Sequence, residues 1–86
     1  MNRKKRIELL LSDEFSNFTI KIIDNSYQHI GHNNITGRDE THIELILTSL
    51  VPNKFDRLSI HRKINELLKS EFNNGLHSLE IRINKF

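Results

Sequence analysis

The sequence predicts an α/β (α+β) domain in the order α-β-β-α-α-β, a three-stranded mixed sheet with helices packed on one face. Three observations predict it. Apolar residues recur at helical spacing in two segments. They alternate with polar residues in three others. The second and third alternating segments are separated by helix, so a right-handed crossover and parallel pairing are expected there. The first two are joined by loop alone and should pair antiparallel.

The elements follow in chain order. Ile7, Leu10, Leu11 and Phe15 place an amphipathic helix over residues 3–15. Phe18, Ile20 and Ile22 alternate with Thr19, Lys21 and Ile23, a strand with a strongly apolar face. Asn25 to Glu40 is polar and holds Gly31, Asn33, Asn34 and Gly37. It reads as a long interstrand loop, a kind of segment that often carries function. Ile43, Leu45 and Leu47 alternate with Glu44, Ile46 and Thr48 as the second strand. Val51 to Lys54 contains the only proline and is read as a break with a short helical turn. Asp56 can cap the next helix by accepting from its first free N–H groups. Ile64, Leu67, Leu68 and Phe72 share one face of that helix, and Asn73-Asn74-Gly75 ends it with residues that tolerate a left-handed backbone. His77, Leu79, Ile81 and Ile83 then alternate with Ser78, Glu80 and Arg82 as the third strand.

Eighty-six residues are read as a single domain over residues 1–86. A chain of that size buries roughly 60–65% of its unfolded surface, which leaves no room for a deep catalytic cavity. No Ser/His/Asp order and no phosphate loop is present, and Asp39, Glu40 and His42 do not converge on a loop entering a strand. The sequence therefore predicts a protein that is not an enzyme. Met1 to Arg6 is basic, but Glu8, Asp13 and Glu14 follow at once. The start is too short and too charged for a signal peptide or membrane span, so a cytoplasmic protein without membrane contact is expected. Net charge is only +2, which permits nucleic-acid contact without demanding it. The chain has no cysteine. Any soft metal or iron–sulfur cluster would be held by imidazole from this side, with thiolate supplied by a partner.

Several fragments in order resemble the BolA family over about residues 6–83. They are Ser26-x-x-His29, Gly31-His32 and Glu40-Thr41-His42, then His61-Arg62 with Leu67-Leu68 and Glu71, then Leu76-His77-Ser78-Leu79. The resemblance implies a KH-like class II fold. It implies a heterodimer with a monothiol glutaredoxin, sharing a bridging 2Fe-2S cluster whose other iron is held by the glutaredoxin cysteine and glutathione. It matches the family's ligand histidine to His61 and its variable second ligand to His29. Ile60 stands where the family usually has arginine, Pro52-Asn53-Lys54-Phe55 where an aromatic and glycine are usual, and Ser78 where alanine is usual.

Each histidine also has a plainer reading. Spacing puts His61 at the rim of the helix's apolar face, where a packed ring bonded to backbone would serve. His29 can be an ordinary loop histidine, and His32, three residues on, is its rival as ligand. His42 reads as structural, and His77 as a satisfied core histidine beside Leu79 and Ile81. Ligation by two imidazoles and two thiolates resembles a Rieske centre, with a raised potential and a labile end suited to transfer. The competing function is a DNA-binding transcriptional regulator in which Lys54, Arg57, Arg62, Lys63 and Lys69 meet phosphates. The plainer reading of those cations is a solvated helix face, as it is a soluble terminus for Arg3, Lys4, Lys5 and Arg6. Pro52 to Ser59 lacks the glycines of a KH backbone clamp. The free protein is expected to be a monomer or weak homodimer.

Overall fold

A computed structural model describes residues 2–25 and 41–86. The elements are α1 (Arg3–Ser12), β1 (Phe18–Asp24), β2 (His42–Ser49), α2 (Arg57–Leu67), α3 (Lys69–Asn73) and β3 (Ser78–Asn84). The sheet order is β1-β2-β3. β1 pairs antiparallel with β2, with Ile22 opposite Leu45, and β3 runs parallel to β2, with Ile81 beside Leu45. The α+β architecture and the mixed sheet are those expected.

β2 is the centre of the molecule. Its alternation is complete: Ile43, Leu45, Leu47 and Ser49 are buried, while His42, Glu44, Ile46 and Thr48 are only partly so. The inward set meets Ile7, Leu11 and Phe15 of the α1 region and Ile60, Ile64 and Leu68 of the α2 region in one core. The helices therefore cover a single face. The other face carries Glu44 and Arg82, 3.5 Å apart.

The pair of consecutive helices arises in a different place from the one expected. Residues 51–54 form a bend and irregular chain rather than a helical turn. Asp56 does cap α2, its carboxylate accepting from Leu58 N–H at 3.1 Å and from the Ser59 hydroxyl at 2.7 Å. The long helix breaks at Leu68 (φ −98°, ψ 12°), and α3 follows as a separate turn. Past the break the apolar face is rotated. Phe72, expected inside with Ile64 and Leu68, is 37% exposed, and Glu71 is buried instead. Gly75, at φ 111°, then turns the chain toward β3.

Glu71 finds its partners in the basic N-terminal run. Arg3 Nε lies 2.8 Å from Oε1, and Arg6 donates through Nε at 2.8 Å and Nη2 at 2.9 Å. Arg3 also donates to the Asn74 carbonyl at 2.8 Å. Thus Arg3 and Arg6 are not a solvated terminus but bind α1 to α3. No buried side-chain nitrogen or oxygen among the described residues lacks a hydrogen-bond partner.

Candidate functional site

β1 ends at Asp24, and the Asn25 N–H bonds the His42 carbonyl at 2.8 Å. Thr41 lies at the same end, because its carbonyl accepts from both His77 N–H (2.8 Å) and Ser78 N–H (3.1 Å). The chain therefore leaves the described sheet at Asn25 and rejoins it at Thr41, beside the start of β3. His29 and His32 lie outside the described residues.

Two described histidines stand at this end. The rings of His42 and His77 have centroids 6.1 Å apart at an interplanar angle of 67°. The Thr41 hydroxyl lies 3.0 Å from His42 Nδ1 and helps to orient that ring. His77 is exposed, contrary to the expectation of a core histidine. The reason is local: its N–H and that of Ser78 share one acceptor, so regular pairing begins only at Ser78 and His77 falls outside the pleat alternation of β3.

His61 is placed elsewhere. It is half-buried in the second turn of α2, at the rim of the apolar face as expected, and its carbonyl accepts from Asn65 Nδ2 at 2.9 Å. The first residue of α2, Arg57, donates to the carbonyl of Ile83 near the far end of β3. The chain comes back through α3 to His77 at the near end. His61 lies only about 6 Å of helical rise beyond Arg57, whereas β3 runs roughly 16 Å from Ile83 back to Ser78. His61 thus belongs to the half of the molecule away from His42 and His77. Among the described residues no three His, Asp or Glu side chains gather as a metal cage.

Of the five candidate phosphate contacts, two are engaged within the fold and three are exposed. Arg57 is turned to Ile83 and lies over the Phe55 ring, 5.3 Å from its centroid. Lys63 reaches 3.9 Å from Glu14. Lys54, Arg62 and Lys69 are exposed. Hydrogen bonds from Ser59 and Leu58, aided by the charge of Arg62, hold the Asp56 carboxyl below its usual range. Among the described residues, no helix is long and apolar enough to cross a membrane.

The site residues that sequence reasoning undervalued are His42 and His77. Their signal was the match of Thr41-His42 and Leu76-His77 to one family pattern; only the parallel pairing of β2 and β3 makes them neighbours.

A family model described as BolA-like protein matches residues 2–85. The UV-induced protein uvi31 of Schizosaccharomyces pombe is 35% identical over 88 residues, covering 99% of this chain and 86% of the relative. Among solved structures, BolA1 from Arabidopsis thaliana has a TM-score of 0.77 at 30% identity, covering 99% of this chain and 93% of that one. The BolA domain of SufE1 from Arabidopsis thaliana has a TM-score of 0.75 at 31% identity, covering 99% and 94%. Matched along nearly its whole length in sequence and in fold, the chain belongs to the BolA-like family.

Proposed function

We propose that this protein is a non-catalytic adaptor that pairs with a monothiol glutaredoxin and takes one end of a bridging 2Fe-2S cluster, for iron–sulfur trafficking or iron regulation. The observation that carries the reading is the His42–His77 pair, at the end of the sheet where the segment bearing His29 and His32 departs and returns. The donor chemistry fits: imidazole binds iron, and this chain brings no competing thiolate. One relative's BolA domain belongs to a protein named SufE1, which points to the same iron–sulfur context.

In this reading the exposed His77 supplies an imidazole, and His29, or its rival His32, supplies another. His42, steadied by Thr41, stands beside His77 and limits its orientations. His61, the ligand that the resemblance implied, is the alternative on this chain. The cluster brings one-electron chemistry, tuned to higher potential by imidazole ligation. Glutaredoxin cysteine and glutathione would hold the other iron.

The test is visible absorption and circular dichroism of cluster-loaded monothiol glutaredoxin titrated with this protein. The wild type should produce new charge-transfer bands that saturate at a one-to-one ratio. His77→Ala should abolish them and His61→Ala should leave them. The reverse pattern returns the ligand to His61. No change with the wild type removes the cluster reading and brings DNA binding through the basic helix region forward.

A further inference from the structure

At the other end of the sheet, beyond Ile83, lies an open cleft of about 460 Å³. Pro52, Lys54, Phe55 and Arg57 line it together with Lys85 and Phe86 near the end of the chain. Among the described residues that line it, three are cations, two carry phenyl rings and none has a carboxylate side chain. The adjacent Asp56 is engaged with Leu58 and Ser59 at the helix start. Arg57 is pre-positioned, held by the Ile83 carbonyl and stacked on Phe55. A guanidinium has five N–H donors, so one bond to Ile83 leaves capacity for a bidentate carboxylate. Holding it in place beforehand reduces the ordering cost of binding. Phe86 is 74% exposed beside it.

We propose that this cleft docks an extended acidic peptide segment of a protein partner, with an apolar side chain set between carboxylates. The three cations outnumber even a terminal carboxylate on Phe86, so charge complementarity favours an acidic occupant. Phe55, Phe86 and Pro52 provide the apolar walls, and Arg57, flanked by Lys54 and Lys85, receives the carboxylates. The cations converge on one short concavity rather than forming a stripe, which suits a few peptide residues better than the long row of phosphates on a duplex. The cleft and the histidine pair occupy opposite ends of β3, so this docking does not depend on cluster binding and its test fails independently.

The experiment is a ¹H–¹⁵N spectrum of the whole chain titrated with the capped peptide Glu-Asp-Phe-Glu-Asp, with its Gln/Asn counterpart, and with single-stranded oligothymidylate. Shifts should centre on residues 52–57 and 83–86 with the acidic peptide. Affinity should fall by roughly tenfold or more with the neutral peptide and in the Lys54→Glu/Lys85→Glu double variant, the scale of one lost charge-assisted contact. Both lysines are exposed, so that variant should keep the wild-type melting temperature. Arg57→Lys keeps the charge but loses the fork, and should also weaken binding. Absence of shifts at millimolar acidic peptide, or shifts centred elsewhere, overturns the proposal. So does oligothymidylate that moves the same residues at lower concentration than the peptide.

Discussion

The Thr41 carbonyl accepts from two successive N–H groups, and that shared acceptor decides what His77 can do. Counted back along the alternation of β3, His77 falls on the apolar side with Leu79 and Ile81. In the fold, pairing starts one residue later, and the ring stands exposed against His42. Alternation is a property of a pleated strand, so it cannot place a residue just before the strand. His61 shows the complementary limit. Its rim position was legible from its spacing to Ile64 and Leu68, but which end of the sheet it approaches depends on the direction of α2. Because His77 is exposed, His77→Ala should change folding stability by no more than about 0.5 kcal/mol while removing the cluster bands. Urea unfolding beside the spectral titration separates these effects. Cysteine is the stronger iron ligand, so His29→Cys should lengthen the lifetime of the shared cluster and shift its spectrum. If His32→Cys does so and His29→Cys does not, the second ligand is His32.

At the scale of elements, the connection from α2 to β3 carries the most unusual backbone among the described residues. Leu68 interrupts the helix, α3 makes one further turn, and Gly75 at φ 111° redirects the chain. A Cβ at that φ meets the neighbouring backbone, so Gly75→Ala should cost about 1–2 kcal/mol in urea unfolding. A loss near zero would mean that the turn relaxes to negative φ. The Asn73-Asn74-Gly75 stop was legible because those residue types tolerate such turns, and the strands were legible because β2 buries every second residue. The break at Leu68 was not: Ile64, Leu67, Leu68 and Phe72 fit one continuous helix, and propensity alone places no stop there. The exchange of Phe72 for Glu71 on the inner side comes from tertiary contacts with Arg3 and Arg6, which lie 68 and 65 residues away in sequence. The cleft beyond Ile83 was hidden for the same reason. Lys54 and Arg57 look like part of a helix surface until the fold brings Lys85 and Phe86 to the same cleft.

For the whole molecule, the Glu71 cluster closes the chain on itself by joining the first helix to the turn before the last strand. Removing the carboxylate charge would break a largely buried ion pair with Arg3 and the paired hydrogen bonds from Arg6. Glu71→Gln should therefore destabilise the fold by roughly 3 kcal/mol near neutral pH, the scale measured when one partner of a buried pair is removed. Replacing Glu71, Arg3 and Arg6 together with apolar residues of similar volume should recover much of that loss, because the desolvation of three charges disappears with their attraction. The pH dependence has a definite sign. The hydrogen bond from Arg6 is the largest influence on the Glu71 carboxyl. Burial opposes it, Arg3 reinforces it, and the carboxyl is held below the ordinary value of 4.5. The unfolded chain then binds the proton more readily than the native one. The stabilisation is complete above the unfolded value and is lost as pH falls through the lower folded value. Urea unfolding at a series of pH values below 6 should give a steeper decline for the wild type than for Glu71→Gln, with the two curves converging in strong acid. Parallel curves would place the acid sensitivity in other carboxylates and leave Glu71 with a neutral structural role.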